Sequence, residues 1–124
     1  MKCLFCDLSE ERVLFKEGSM KAISDAFPIS KGHTLIIPNR HVRSFFDIND
    51  TERDDFFIAL SRAKKLLAEK FNPDSFNIGI NDGAHAGQTV PHLHVHLIPR
   101  YLGDQPDPRG GIRWIFPEKA NYWS

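Results

Sequence analysis

The chain has 124 residues, with 16 Lys and Arg against 16 Asp and Glu, and its formal net charge is zero. This length predicts a single domain over residues 1–124 with one hydrophobic core. The balanced charge excludes a general affinity for nucleic acid or acidic membranes, so any phosphate binding requires a local site. The sequence has no apolar run of membrane-spanning length and no signal-peptide pattern, which predicts a cytoplasmic protein.

The two cysteines form a C-x-x-C near the start of the chain, Cys3-Leu-Phe-Cys6. Two cysteines three positions apart cannot build a disulfide framework. They are reduced thiols, a redox pair, or half of a zinc site that needs two further ligands. A redox pair is expected beside a βαβ pattern, which this sequence lacks, so free thiols and zinc both stay open.

Three strands are predicted before the first helix. Residues 13–17 and 20–24 form a hairpin whose turn contains Gly18. Residues 34–37 form a short apolar strand that Pro38 closes.

A long helix follows, from about residue 50 to residue 71. Asn49 supplies an N-cap, Glu52 supplies the acid of a capping box, and Asn72-Pro73 ends the helix. Apolar residues recur along the helix at helical spacing, so they are predicted to face the core: Phe56, Phe57, Leu60, Ala63 and Leu67.

The most informative stretch comes after the next strand, in which Phe76, Ile78 and Ile80 alternate. It reads Pro-His92-Leu-His94-Val-His96-Leu-Ile, and it again has the period of a strand. The three imidazoles should therefore share one face, about 6.6 Å apart from one to the next, while Leu93, Val95 and Leu97 face a core. Imidazole can act as nucleophile, acid, base or metal ligand near neutral pH, although a solvated face rich in histidine is the plain alternative.

This His-x-His-x-His stretch, followed by two apolar residues, resembles the signature of the histidine triad (HIT) family. Residues 76–83 with 86–89 are similar to the strand and loop that lead into the triad, and residues 31–38 are similar to its upstream strand. The resemblance implies an α+β fold: an antiparallel sheet of about five strands with the triad on a central strand, one long helix, and a two-fold homodimer.

The resemblance also implies a chemistry. In the family the middle histidine, here His94, attacks the α-phosphate of a nucleotide, and water then hydrolyses the nucleotidyl-histidine. His96 would contact the phosphate and help to protonate the leaving group, and Gln88 would orient substrate or water as a third catalytic residue. The remaining nucleotide contacts carried over by position are Asp25 on the ribose, His33 supporting the triad, and Asn81 and Thr89 near the phosphates.

Family members with an N-terminal C-x-x-C often bind structural zinc, and no organic cofactor is implied. The ligands carried over by position are Cys3, Cys6, His41 and His92. The pair Gln88-Thr89 is similar to the fragile-histidine-triad branch, which hydrolyses dinucleoside polyphosphates. Phosphoramidate-cleaving members usually have serine at the position of Gln88, and phosphoramidate substrates stay open as an alternative.

The end of the chain has a different character. Its Pro and Gly content predicts that residues 102–124 are a mobile loop and tail, and residues 112–116 are predicted to add a short strand. Arg109 and Arg113 would meet distal phosphates or carry ordinary solvated charge. The tail is also predicted to help choose the substrate, because its aromatic and arginine side chains can cover a base or a distal phosphate: Arg113, Trp114, Tyr122 and Trp123.

Two other classes of function compete with the nucleotide hydrolase. A metallohydrolase would use His94, His96 and a third ligand on a catalytic zinc that keeps one position open for water. A non-enzymatic module would bind nucleotide on the same fold without turnover.

Overall fold

The computed structural model describes residues 2–124. The strands are β1 (Val13–Glu17), β2 (Met20–Ser24), β3 (Thr34–Pro38), β4 (Ser75–Ile80) and β5 (Val95–Arg100). The helices are α1 (Asp50–Phe71) and α2 (Pro117–Ala120). Short 3-10 helices occur at Glu10–Arg12, Phe45–Asp47, Ala84–Ala86 and Gly111–Ile115.

The strands form one antiparallel sheet in the order β1-β2-β3-β5-β4. The triad strand β5 is therefore bonded on both sides, and His96 lies opposite Leu35 of β3 and Gly79 of β4. A Cβ atom at Gly79 would have no heavy atom within 4 Å, so Gly79 leaves open space above the sheet beside His96. The five-stranded α+β fold is confirmed.

Helix α1 has the predicted bounds because its ends are specified locally. Asn49 accepts a hydrogen bond from the Glu52 amide at 2.8 Å, and the Glu52 carboxylate accepts from the Asn49 amide at 2.9 Å. Asn72 ends the helix in the left-handed conformation, with φ of 50°.

The helix packs on one face of the sheet, where the main core lies. Phe56, Ala59, Ala63 and Leu67 of α1 are buried together with sheet residues of that face, which include Ala22, Ile36, Val95 and Leu97. The prediction was wrong for Phe57, whose side chain is 64% exposed. Successive helix residues lie about 100° apart, so Phe56 and Phe57 cannot both point at the sheet, and Ala59 completes the buried stripe instead.

The predicted triad strand is shorter than the alternation indicated. Leu93, Val95 and Leu97 do enter the helix-side core, so the alternation of faces is confirmed. Strand β5 nevertheless begins only at Val95, because the His92 amide donates to the Val90 carbonyl at 2.8 Å in a turn and the Leu93 amide donates to Val42 at 2.7 Å. Only His96 of the three histidines lies within the regular strand.

The predicted strand at 112–116 is wrong. Residues Gly111–Ile115 form a 3-10 helix, which Gly110 and Gly111 enter with φ of 93° and 46°. Such backbone angles suit a turn and not an extended strand. The Arg113 amide then donates to the Gly110 carbonyl at 2.8 Å, and the chain continues into α2.

Among residues 2–124, no helix combines the length and the apolar character that crossing a membrane would require.

Candidate functional site

His94 immediately precedes β5, on the sheet face opposite α1. Its Nδ1 is 2.9 Å from the carbonyl oxygen of His92, which can only accept, so Nδ1 carries the proton. In the neutral ring the lone pair is then on Nε2. The ring is 9% exposed and packs edge-on against Phe5, with 5.1 Å between centroids. The structure therefore offers a nucleophilic nitrogen whose tautomer and orientation are fixed by the backbone.

His33 fixes the tautomer of His96 in a similar way. The Ile29 amide donates to Nδ1 of His33 at 3.2 Å, so the neutral His33 ring carries its proton on Nε2. That Nε2 donates to Nδ1 of His96 at 2.9 Å, and it also lies 3.4 Å from the Asp25 carboxylate. Nε2 of His96 must then carry the proton, so His96 presents a hydrogen-bond donor.

Burial, followed by the nearby charges of His33 and His94, lowers the pKa of His96 to about 4. Burial also lowers the pKa of His33, although Asp25 opposes the shift. His96 is therefore neutral at pH 7. The His94 and His96 rings lie 5.3 Å apart between centroids, so one bound group can meet the lone pair of the first and the N–H of the second.

An open cleft with a volume of about 1520 Å³ lies on this face of the sheet. Four of the predicted contact residues line it: Asp25, His33, Asn81 and His96. Among the residues that the structure describes, those lining this cleft do not include His94, Gln88 or Thr89.

Gln88 has both ends of its amide occupied by backbone groups. Its Oε1 accepts from the Gly83 amide at 2.8 Å, and its Nε2 donates to the carbonyls of Arg43 and Val90 at 3.0 and 3.1 Å. In this arrangement Gln88 holds the loop before the triad together. Thr89 beside it is exposed.

The structure brings the four predicted zinc ligands together. Sγ of Cys3 lies 3.4 Å from Nδ1 of His92, and Sγ of Cys6 lies 3.4 Å from Nδ1 of His41 and 3.6 Å from Nδ1 of His92. All four ligand atoms are within 4.8 Å of one another. A tetrahedral zinc ion with Zn–S of about 2.3 Å and Zn–N of about 2.0–2.1 Å separates sulfur from nitrogen by roughly 3.6 Å. The donor set and its spacing fit zinc.

The protonation of these residues also fits a cation. Nε2 of His92 lies 2.9 Å from the Pro38 carbonyl and carries the proton, which leaves the Nδ1 lone pair pointing at the sulfurs. Burial lowers the pKa of His92, with the Pro38 carbonyl opposing. Loss of hydration and the neighbouring Cys3 raise the pKa of the Cys6 thiol. A positive charge between the two sulfurs would therefore be needed to hold both of them as thiolates.

A second group of possible ligands consists of Asp25, His33 and His96. Within residues 2–124 the candidate ligand groups do not place His94 together with His96, the pair that a metallohydrolase would need. The bond from His33 also occupies Nδ1 of His96. This geometry favours an organic nucleophile over a zinc-bound water.

Arg109 and Arg113 are engaged within the tail. Arg109 pairs with Asp107 at 2.9 Å, and Arg113 donates to the carbonyls of Lys119 and Ala120 at 2.6 and 3.1 Å. Their predicted contact with distal phosphates stays a prediction.

Sequence reasoning missed one contribution to the site. Phe5, between the two cysteines, packs against the rings of both His92 and His94, and its position inside the C-x-x-C was the available signal. Trp114 and Trp123, two of the tail residues expected from the sequence to help choose the substrate, line the cleft that contains His96, while their contact with a base stays a prediction.

The sequence of this chain is similar to those of known proteins. An asymmetrical bis(5'-nucleosyl)-tetraphosphatase of Schizosaccharomyces pombe is 39% identical over 93 residues, which cover 75% of this chain and 51% of that protein. A bis(5'-adenosyl)-triphosphatase of Saccharomyces cerevisiae is 40% identical over 95 residues, which cover 76% of this chain and 46% of that protein. The chain thus spans about half the length of these curated relatives.

A zinc-bound histidine triad family protein from Mycobacterium smegmatis has a similar structure. Its TM-score is 0.73 and its sequence identity is 32%, over 85% of this chain and 84% of that chain. The family model described as HIT domain matches residues 8–103, which include all three histidines of the triad. The chain therefore belongs to the histidine triad family.

Proposed function

We propose that the protein hydrolyses dinucleoside polyphosphates, or transfers their nucleotidyl group, by cleavage at the α-phosphate through a nucleotidyl-His94 intermediate. The observation that carries the proposal is the fixed His94 ring, with Nδ1–H held by the His92 carbonyl and Nε2 free beside His96. The two relatives named as dinucleoside polyphosphate hydrolases support the choice of substrate.

The reaction has two displacements at phosphorus. Nε2 of His94 forms a bond to the α-phosphorus while the bond to the bridging oxygen breaks and a nucleoside polyphosphate leaves. Water then attacks the same phosphorus, the N–P bond breaks, and a nucleoside monophosphate is released. His96, through Nε2–H, donates a hydrogen bond to an oxygen of the phosphate or leaving group in both steps.

The neutral state of His96 favours phosphoanhydrides over phosphoramidates. A polyphosphate leaves as a stable anion and needs hydrogen bonds more than a proton, whereas an amine must be protonated to leave. Because its pKa is lowered to about 4, His96 is neutral at pH 7. Its N–H can donate a hydrogen bond to a departing polyphosphate, but the neutral ring has no extra proton to give to a departing amine.

Other residues have supporting roles in the proposal. Oδ2 of Asp25, which lies 3.4 Å from Nε2 of His33, would accept from ribose hydroxyls, because Oδ1 already accepts from the Phe27 amide. Asn81 would contact the phosphates from the cleft wall. Gln88 would act as a positioning residue, since its amide ties the loop of Gly83 and Val90 beside the triad, and Thr89 would donate to a phosphate.

We further propose that Cys3, Cys6, His41 and His92 hold a structural zinc ion. Four protein ligands would close its coordination shell, so its contribution is to folding and not to a metal-bound water. The name of the zinc-bound Mycobacterium smegmatis relative supports this assignment.

We also propose a two-fold homodimer, which light scattering would detect as twice the chain mass of 14.2 kDa.

A hydrolysis panel tests the proposed function. Purified protein would be given diadenosine triphosphate, diadenosine tetraphosphate, an adenosine phosphoramidate and an adenylyl sulfate, and kcat/KM would be measured for each. The dinucleoside polyphosphates should rank first. A higher kcat/KM for the phosphoramidate would reassign the substrate class, and tight nucleotide binding without turnover would make the protein a binding module.

A further inference from the structure

The cleft beside His96 has two different walls. One wall is the loop that precedes β3, with Asp25 and His33, and the other is the tail, which passes β4 so closely that a Cβ at Gly111 would lie 3.3 Å from Asn77. The volume of about 1520 Å³ exceeds the roughly 300–1,000 Å³ of common small-ligand pockets. One nucleotide beside His96 would leave part of this cleft empty.

The tail wall is held in place by its own contacts. The Arg113 guanidinium donates to the carbonyls of Lys119 and Ala120. Nε1 of Trp114 donates to the Arg109 carbonyl at 2.8 Å, and the Arg109 guanidinium lies 4.6 Å from the centre of the Trp123 ring. These contacts fix two indole rings on one side of the cleft.

Gly110 shows how closely this wall is packed. A Cβ atom there would lie 3.3 Å from the Ala120 carbonyl oxygen and 3.3 Å from each of the Trp114 and Trp123 rings. Its φ of 93° is a conformation that other residues rarely adopt. The two indoles therefore meet across a position where only glycine fits without rearrangement.

The sequence contains two tryptophans, and both line this cleft. Indole faces bind nucleobases by stacking, whatever the base. The floor between the indoles and the triad includes Ile98, which follows His96 by two residues and therefore lies about 6.6 Å further along the strand. A polyphosphate chain that starts at His96 can cross this floor to reach the tail.

We infer that Trp114 and Trp123 bind the base of the departing nucleoside, which makes the tail the part of the protein that distinguishes dinucleoside from mononucleoside polyphosphates. The inference rests on the proposed function. Since Asp25 on the opposite wall takes the ribose of the transferred nucleotide, the tail wall is left for the second nucleoside.

A comparison of two substrates tests this assignment. Diadenosine tetraphosphate and adenosine 5'-tetraphosphate offer the same bond at the α-phosphate, but the latter lacks the second nucleoside. Trp114→Ala and Trp123→Ala should each raise KM for the dinucleoside by about tenfold and change KM for adenosine tetraphosphate less than twofold. Trp114→Phe, which keeps an aromatic face, should recover most of the loss.

Phe116→Ala is the matched control, because Phe116 is an aromatic residue of the same tail with 59% exposure, and it is outside the set of described residues that line the cleft. It should leave both KM values unchanged. Equal effects of the tryptophan variants on the two substrates, or no effect on either, would overturn the inference while the proposed function stands. Failure of wild type to cleave either substrate would instead overturn the proposed function.

Intrinsic fluorescence gives a readout that does not depend on turnover. Because both tryptophans lie in the cleft, titration of the inactive His94→Asn protein with diadenosine tetraphosphate should quench the emission in a saturable way. Adenosine tetraphosphate should quench it far less at equal occupancy, as measured by calorimetry. Equal quenching by the two ligands would show that the tail does not contact the second base.

Discussion

The carbonyl oxygen of His92 lies 2.9 Å from Nδ1 of His94, and the side chain of the same His92 points its own Nδ1 at Cys3 and Cys6. One residue therefore joins the candidate metal centre to the candidate nucleophile. Its side chain would be anchored by the ion, and its backbone sets the tautomer of His94. Three measurable consequences concern the triad and the candidate metal centre, and a fourth concerns the cap of α1.

His94→Asn should abolish the chemical step and preserve substrate binding. Asparagine has a similar reach but cannot form a nucleotidyl intermediate, so kcat should fall by several orders of magnitude. Labelled substrate, quenched under denaturing alkaline conditions, should leave acid-labile label on wild type and none on the variant. His85→Asn is the control, since His85 is exposed and lies outside the triad and the proposed zinc site. Turnover by His94→Asn within about tenfold of wild type would exclude the covalent mechanism.

His96 should make the folded protein less stable in mild acid. Its pKa is about 4 in the folded protein against 6.5 ordinarily, so the unfolded chain binds more protons between these values and stability rises with pH there. The effect is at most on the order of 3 kcal/mol, and it develops as pH falls from about 6.5 towards 4. Urea unfolding at several pH values should show a weaker dependence in His96→Asn than in wild type. Identical dependences in the two proteins would contradict the low pKa.

Cys6→Ser should remove zinc and lower stability. Protein made with ample zinc should contain about one ion per chain by elemental analysis, and the variant should contain little. Its thermal midpoint should fall because a structural ion contributes its binding free energy to folding. His85→Asn should retain full metal content. Only trace metal in wild type under these conditions would refute the zinc site.

Glu52→Ala should destabilise the fold by about 1–3 kcal/mol. The Glu52 carboxylate closes the capping box of α1 and accepts from Nε and Nη2 of Arg40 at 3.2 and 2.8 Å. Glu69→Ala changes an exposed glutamate of the same helix and should alter the free energy of unfolding by less than 0.5 kcal/mol. Chemical denaturation measures the free energy of unfolding of both variants. Equal effects of the two substitutions would show that the capping box and the Arg40 contact do not stabilise the fold.

Helix α1 and strands β1 to β4 followed from local sequence. The capping box at Asn49 and Glu52 and the helical spacing of Phe56, Ala63 and Leu67 were enough to place α1, because these signals act over three or four residues. The alternation around the triad likewise predicted which side chains enter the core. The family resemblance supplied the ligand and contact residues from motifs in the same sequence.

Only the tertiary structure decided how distant groups meet. Cys3 and His92 are 89 positions apart, and His33 and His96 are 63 apart, so their contacts depend on the pairing of β3 with β5 and on the docking of the N-terminal segment. The exposure of Phe57 and the packing of Trp114 and Trp123 around Gly110 were decided in the same way. Local periodicity fixes the direction of a side chain relative to its own element, whereas its neighbours are fixed by long-range pairing and packing, which no short stretch encodes.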